Sequence, residues 1–110
     1  MSVKFLMNEG ILTASIYGDI DHHNAKVLRE SIDKEVENNN PEVLKIDFKN
    51  LEFMDSSGIG LIMGRYKLMN SLGGKLNVIN VPSYMLRVIK ISGLEQLGVL
   101  ENDGVKNRRF

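Results

Sequence analysis

The chain contains no cysteine, so disulfides, thiolate catalysis and sulfur-ligated zinc are excluded together. It carries no excess of charge either. Fourteen Lys and Arg balance fourteen Asp and Glu, which leaves no electrostatic footprint for nucleic acid. The basic stretch "KNRRF" is too short to outweigh the neutral whole. Aromatic residues are few, four Phe and three Tyr, and no basic patch interleaves with them, which argues against a stacking platform for single strands. No apolar run approaches the roughly 20 residues that span a bilayer. The apolar run of "MSVKFLMNEG" is short and broken by Lys4 and Asn8, unlike that of a signal peptide. Internal repeats, low-complexity tracts and Pro/Gly/Ser linkers are missing. The expectation from these absences is one cytoplasmic domain over residues 1–110, with 102–110 a frayed tail and with no membrane or nucleic-acid contact.

What is present is the composition of a globular protein, 43% apolar and 25% charged over 110 residues. Two segments alternate at the amino end. Val3, Phe5 and Met7 share one face of a strand; after the turn "NEG", Leu12, Ala14 and Ile16 share one face of a second. From His22 to about Asn38 the period lengthens. Ala25, Leu28, Ile32 and Val36 form a helical stripe, with Asp21 as its expected N-cap and Arg29–Asp33 and Lys26–Glu30 as pairs on its wet side. "VLKIDF" alternates again, a helix from about Ser57 to Leu72 follows, and Gly73-Gly74 ends it. "KLNVIN" reads as a strand, Pro82 opens a third helix that Gly93 closes, and "LEQLGVL" reads as a short final strand. The order β-β-α-β-α-β-α-(β) contains a right-handed β-α-β crossover. Alternation, rather than continuous apolar runs, indicates a sheet with one wetter face. The fold class is therefore α/β with α+β character: a mixed sheet of four to five strands with helices mainly on one face.

Two places hold candidate chemistry. The first is "LEFMDSSGIGLIMGRYK", where Asp55, Ser56, Ser57 and Gly58 precede an apolar helix. A serine there caps the helix in the plainest reading. The same geometry exposes a hydroxyl at the positive end of the helix dipole, where an added phosphate is tolerated. A hydrolase does not fit, because G-x-S-x-G is not matched and nothing brings a base to Ser56. The glycines miss both G-x-G-x-x-G and G-K-[ST], which weakens a nucleotide site. Gly60 and Gly64 lie one turn apart, a strip suited to close packing of helix on sheet. The second place is "GDIDHH". Asp19, Asp21, His22 and His23 suggest a metal, but adjacent histidines diverge on a helix or a strand, so one centre would struggle to use both. Asp21 and Asp55 each lie in a loop after a strand; if strands 2 and 3, the second of the hairpin and "VLKIDF", end on the same edge of the sheet, both acids line one rim with Ser56.

"GDIDHHNA", "LEFMDSSGIGLIMGRYK" and "ISGLEQL" together resemble the anti-sigma factor antagonists of the STAS family, most of all the sporulation branch acting on sigma-F. The resemblance runs from the first strand to about Leu100. It implies a non-catalytic interaction module without cofactor or metal. The anti-sigma factor, itself a serine kinase, would phosphorylate the first serine of D-S-S-G, here Ser56. The unmodified form would bind that factor and free the sigma factor; a separate PP2C-type serine phosphatase would reset the modified form. Partner contacts are expected from Asp21, His22, Asp55, Ser56, Ser57, Gly58, Ile59 and Arg65. Three other readings remain open: an antagonist in a general stress-response pathway, a metal-dependent phosphohydrolase using Asp19, Asp21, His22 and Asp55, and a nucleotide-binding regulatory domain. The family's further C-terminal helix is not supported by "ENDGVKNRRF", which lacks an apolar stripe.

Overall fold

The computed structural model describes residues 1–101. The expected tail, 102–110, and the question of a helix within it lie outside them. Strands β1 (Ser2–Asn8) and β2 (Ile11–Ile20) form the antiparallel hairpin, in register from Ser2 opposite Tyr17 to Asn8 opposite Ile11. Both residues of its two-residue loop have positive φ, 50° at Glu9 and 83° at Gly10, the conformation that suits the twist of paired strands. Strand β3 (Val43–Asp47) runs parallel to β2 on its other side, and the next strand outward, Lys75–Ile79, runs parallel to β3.

A further strand, β4 (Leu51–Met54), lies where the sequence pattern marks no element; it is parallel to β2 and pairs with Gly18, Asp19 and Ile20. Strands β3 and β4 therefore lie end to end along one side of β2, separated by a tight break at residues 48–50. Asp47 makes that break: its Oδ1 accepts from the Lys49 N–H at 2.9 Å and from Asn80 Nδ2 at 2.9 Å. With Lys75–Ile79 as β5, the sheet has five strands in the order β1-β2-β3-β5, with β4 on β2. "LEQLGVL" is not a strand. Gly93, at φ 86°, turns the chain into a 3₁₀ turn over Leu94–Leu97, and only Leu100 bridges to Val78.

Alternation decides which face is covered. Leu12, Ala14, Ile16, Leu44, Ile46, Leu76 and Val78 are buried, whereas Thr13, Ser15, Lys45 and Asn77 between them are half-buried. The helices lay their stripes on the buried face: Leu28, Ile32 and Val36 from α1 (Ala25–Asn39), Ile62 and Met69 from α2 (Ser56–Ser71), Met85 and Ile89 from α3 (Ser83–Ser92). Each such side chain contributes about 1.5–3 kcal/mol on burial.

Among the described residues one charged side chain lies in the interior. Arg65 of α2 is 6% exposed, and its Nε stands 2.8 Å from Asp33 Oδ1 of α1. Asp33 thus faces α2 as well as Arg29, which corrects its placement on the wet side. The contact lacks hydrogen-bond alignment, and Arg65 Nε, Arg65 Nη1 and Asp33 Oδ1 are all buried without a hydrogen-bond partner among the described residues. Burial pushes the Asp33 carboxyl above its ordinary value and the Arg65 guanidinium below its own, against their mutual attraction. Arg65→Ala is expected to destabilise the fold by about 1–3 kcal/mol, less than a fully buried pair loses because Asp33 recovers some water. Asp33→Asn combined with Arg65→Met keeps the packing without the charges and should return stability to within about 1 kcal/mol of the parent in urea unfolding. A double variant as unstable as Arg65→Ala would show that the ion pair itself stabilises.

Candidate functional site

Strands β2 and β4 are parallel and end side by side, Ile20 opposite Met54, and the Asp55 N–H extends the ladder by donating to the Ile20 carbonyl at 3.1 Å. The next residues on the two chains, Asp21 and Asp55, are therefore neighbours. The two acids meet through β4 and not, as expected, through the end of β3, which pairs with β2 only as far as Ser15. Each carboxylate organises the turn that follows it. Asp55, in extended backbone (φ −96°, ψ −169°), is the N-cap of α2, and its side chain accepts from the Ser57 N–H at 2.8 Å. That bond is the main reason its carboxyl sits below its ordinary value, with smaller help from His22, against opposing desolvation. The cap is thus the acid and not a serine. Ser56 becomes the first residue of α2, exposed, and its hydroxyl has no hydrogen-bond partner among the described residues. Ser57 is half-buried.

Asp21 does not cap α1 directly. Its Oδ1 accepts from the His23 N–H at 2.9 Å and the Asn24 N–H at 3.0 Å, shaping a turn one residue before Ala25. Asn24 returns the bond, accepting from the Asp21 N–H at 3.0 Å and donating to the Asp19 carbonyl at 2.9 Å. Asn24 is the positioning residue that sequence reasoning passed over, although its spacing of three from Asp21 is that of a capping box. His22 and His23 lie in this turn, neither on a helix nor in a strand. Their rings do not diverge but stack, with centroids 4.0 Å apart and planes tilted by 36°. Among the described residues no three His, Asp or Glu side chains come together as a metal set.

The remaining expected contacts separate by depth. Gly58 is buried because Met54 fills its place: a Cβ there would lie 2.0 Å from the Met54 sulfur. Ile59 is half-buried against the core. Arg65 does not reach the rim; it lies nine residues along α2, about 13 Å by helix rise, with its guanidinium closed in by Asp33. Gly60 and Gly64 do not pack on the sheet as expected. A Cβ on either would meet nothing within 4 Å. Each lowers the intrinsic stability of α2 by about 0.5–1 kcal/mol relative to alanine.

The STAS domain model matches residues 3–103. The chain belongs to the STAS domain family. This STAS domain is 36% identical to the anti-sigma F factor antagonist of Paenibacillus polymyxa, over 86% of the chain and 80% of that protein. It is 32% identical to the anti-sigma-B factor antagonist of Bacillus subtilis, over 88% and 87%. Among solved structures it superposes on the anti-sigma factor antagonist SpoIIAA in its unphosphorylated form with a TM-score of 0.78, at 25% identity, over 91% of this chain and 86% of that one. The Bacillus cell fate determinant SpoIIAA in its phosphorylated form matches with a TM-score of 0.71, at 25% identity, over 98% and 100%. No helix among the described residues is long and apolar enough to cross a membrane.

Proposed function

We propose that this STAS domain is an anti-sigma factor antagonist switched by phosphorylation of Ser56. The observation that carries the reading is the paired ending of β2 and β4, which sets Asp21 and Asp55 beside an exposed serine whose hydroxyl the fold does not use. The solved relative SpoIIAA exists in unphosphorylated and phosphorylated forms on this same fold. The unmodified rim binds a cytoplasmic anti-sigma factor that is also the kinase. That kinase moves the γ-phosphoryl of ATP to Ser56 Oγ and releases ADP, and a PP2C-type phosphatase hydrolyses the ester. Ser56 is the acceptor rather than Ser57, because its hydroxyl is exposed whereas Ser57 is half-buried with its N–H committed to the Asp55 cap. The identity of 36% with a sigma-F antagonist against 32% with a sigma-B antagonist favours the sporulation pathway over general stress response.

Incubation with the host organism's anti-sigma factor kinase and ATP, followed by phosphopeptide mapping, is expected to place one phosphate on Ser56 and none on the Ser56→Ala variant. Phosphate on Ser57 sinks the residue assignment, and no phosphate at all sinks the switch.

A further inference from the structure

A cleft of about 300 Å³ opens between the first turns of α1 and α2, lined by Ala25, Lys26, Arg29, Ser57, Gly60 and Leu61. Its α2 wall is bare at Gly60, where a side chain would meet nothing, and again one turn on at Gly64. The fold gains nothing from glycine at these helix-interior positions, so the empty strip is free for something outside the chain. Its charge says what. Lys26 and Arg29 are exposed on the α1 wall. Arg65, on the same face of α2 as Ser57 and Leu61, lies one turn beyond Leu61 beside Asp33, with its Nη1 buried and unpartnered among the described residues. Lys26 and Arg29 are thus the charged side chains of a lining that holds no acid, and the amino ends of both helices add positive potential at the mouth. Ser57 joins the cleft to the rim of Asp21, Asp55 and Ser56 without a break in the chain.

We propose that this cleft is the docking groove for an acidic segment of the anti-sigma partner, whose carboxylates pair with Lys26 and Arg29 while its backbone lies over Gly60. The proposal rests on the reading of the rim as the partner's contact, and it divides the interface by sign: an acidic rim that carries the switch and a basic groove that supplies affinity. The volume suits a few inserted side chains, at the small end of ligand clefts.

The test is equilibrium binding of the full chain to the host organism's anti-sigma factor at several salt concentrations. Lys26→Glu with Arg29→Glu is expected to lose tenfold or more in affinity and to flatten the salt dependence. Gly60→Met should lose about as much while its melting temperature equals or exceeds the parent's, because the space is open; Gly60→Ala, which only removes backbone freedom, should melt higher than the parent. Both the charge-reversed and the Gly60→Met variants binding within twofold of the parent, while Ser56→Asp abolishes binding, overturns the groove and leaves the rim standing. A parent chain that does not bind at all overturns both. A parent dimer that Gly60→Met dissociates in sedimentation, with partner affinity unchanged, assigns the groove to a second copy and overturns the proposal.

Discussion

Ser56→Asp is expected to weaken binding to the anti-sigma factor by about 100-fold or more, with little change in melting temperature. The two halves have different causes. At the interface, the new carboxylate joins Asp21 and Asp55 on a rim already set by hydrogen bonds from both strand ends. Asp21 and Asp55 repel it in the free protein as well, so the loss comes from the partner: one carboxylate of its acidic segment brought within about 6 Å, at an effective dielectric of 20, costs about 3 kcal/mol, which is roughly 100-fold in a dissociation constant. Desolvating the charge in the complex acts in the same direction. In the free protein the same charge sits at the first position of α2, where the helix dipole favours an anion by about 0.3–1 kcal/mol. The phosphate itself, with about −1.5 to −2 charges, should act in the same sense and more strongly. Isothermal titration with the partner and a thermal melt on the same samples check both halves. An affinity within threefold of the parent removes the switch. Lost affinity with a melting temperature lowered by ten degrees would instead make Ser56 a structural residue.

How far the sequence reached depends on whether local or distant groups decide each feature. The hairpin, α1 and α3 were legible because alternation and the three- and four-residue stripe are local patterns that the core then reuses at Leu12, Ile16, Leu28, Ile32 and Val36. Helix α2 starts one residue before the position the spacing predicts, because a serine and an acid compete for the cap and Asp55 takes the extended backbone. Strand β4 escaped because it has four residues, of which only Leu51 is buried, and because its partner β2 is about thirty residues away in sequence. That strand brings Asp55 to Asp21, so the rim could be stated only as a condition. The fate of Arg65 was equally hidden. The resemblance set it among the partner contacts, whereas the residue that draws it inward, Asp33, belongs to another helix. The resemblance supplied candidate partner contacts; it could not say which of them, such as Gly58 under Met54, are held for packing.

The largest loss of stability is expected from Phe48→Ala, and it bears on the site. Phe48 is fully buried at the break between β3 and β4, its N–H donating to the Ile79 carbonyl at 3.1 Å and its carbonyl accepting from the Leu51 N–H at 3.1 Å. Its side chain anchors the point at which one strand stops and the next begins. Truncating a buried Phe to Ala destabilises by about 3–5 kcal/mol, a large share of the roughly 5–15 kcal/mol that holds a domain of this size together. At about 4 °C per kcal/mol, the melting temperature should fall by about 10–20 °C. The urea midpoint should drop with an unchanged slope. Phe48→Leu keeps most of the volume and should lose less than half as much. The further expectation concerns β4, which is held to β2 only over Gly18–Ile20. With the anchor gone, the amides of Leu51 to Asp55 should exchange with solvent faster than those of β3 under conditions where the variant remains folded. Partner affinity should then fall by more than the unfolded fraction accounts for, because the Asp55 cap and Ser56 ride on β4. If those amides stay as protected as β3 and the folded variant binds like the parent, the rim is held by β2 alone and Phe48 serves only the core.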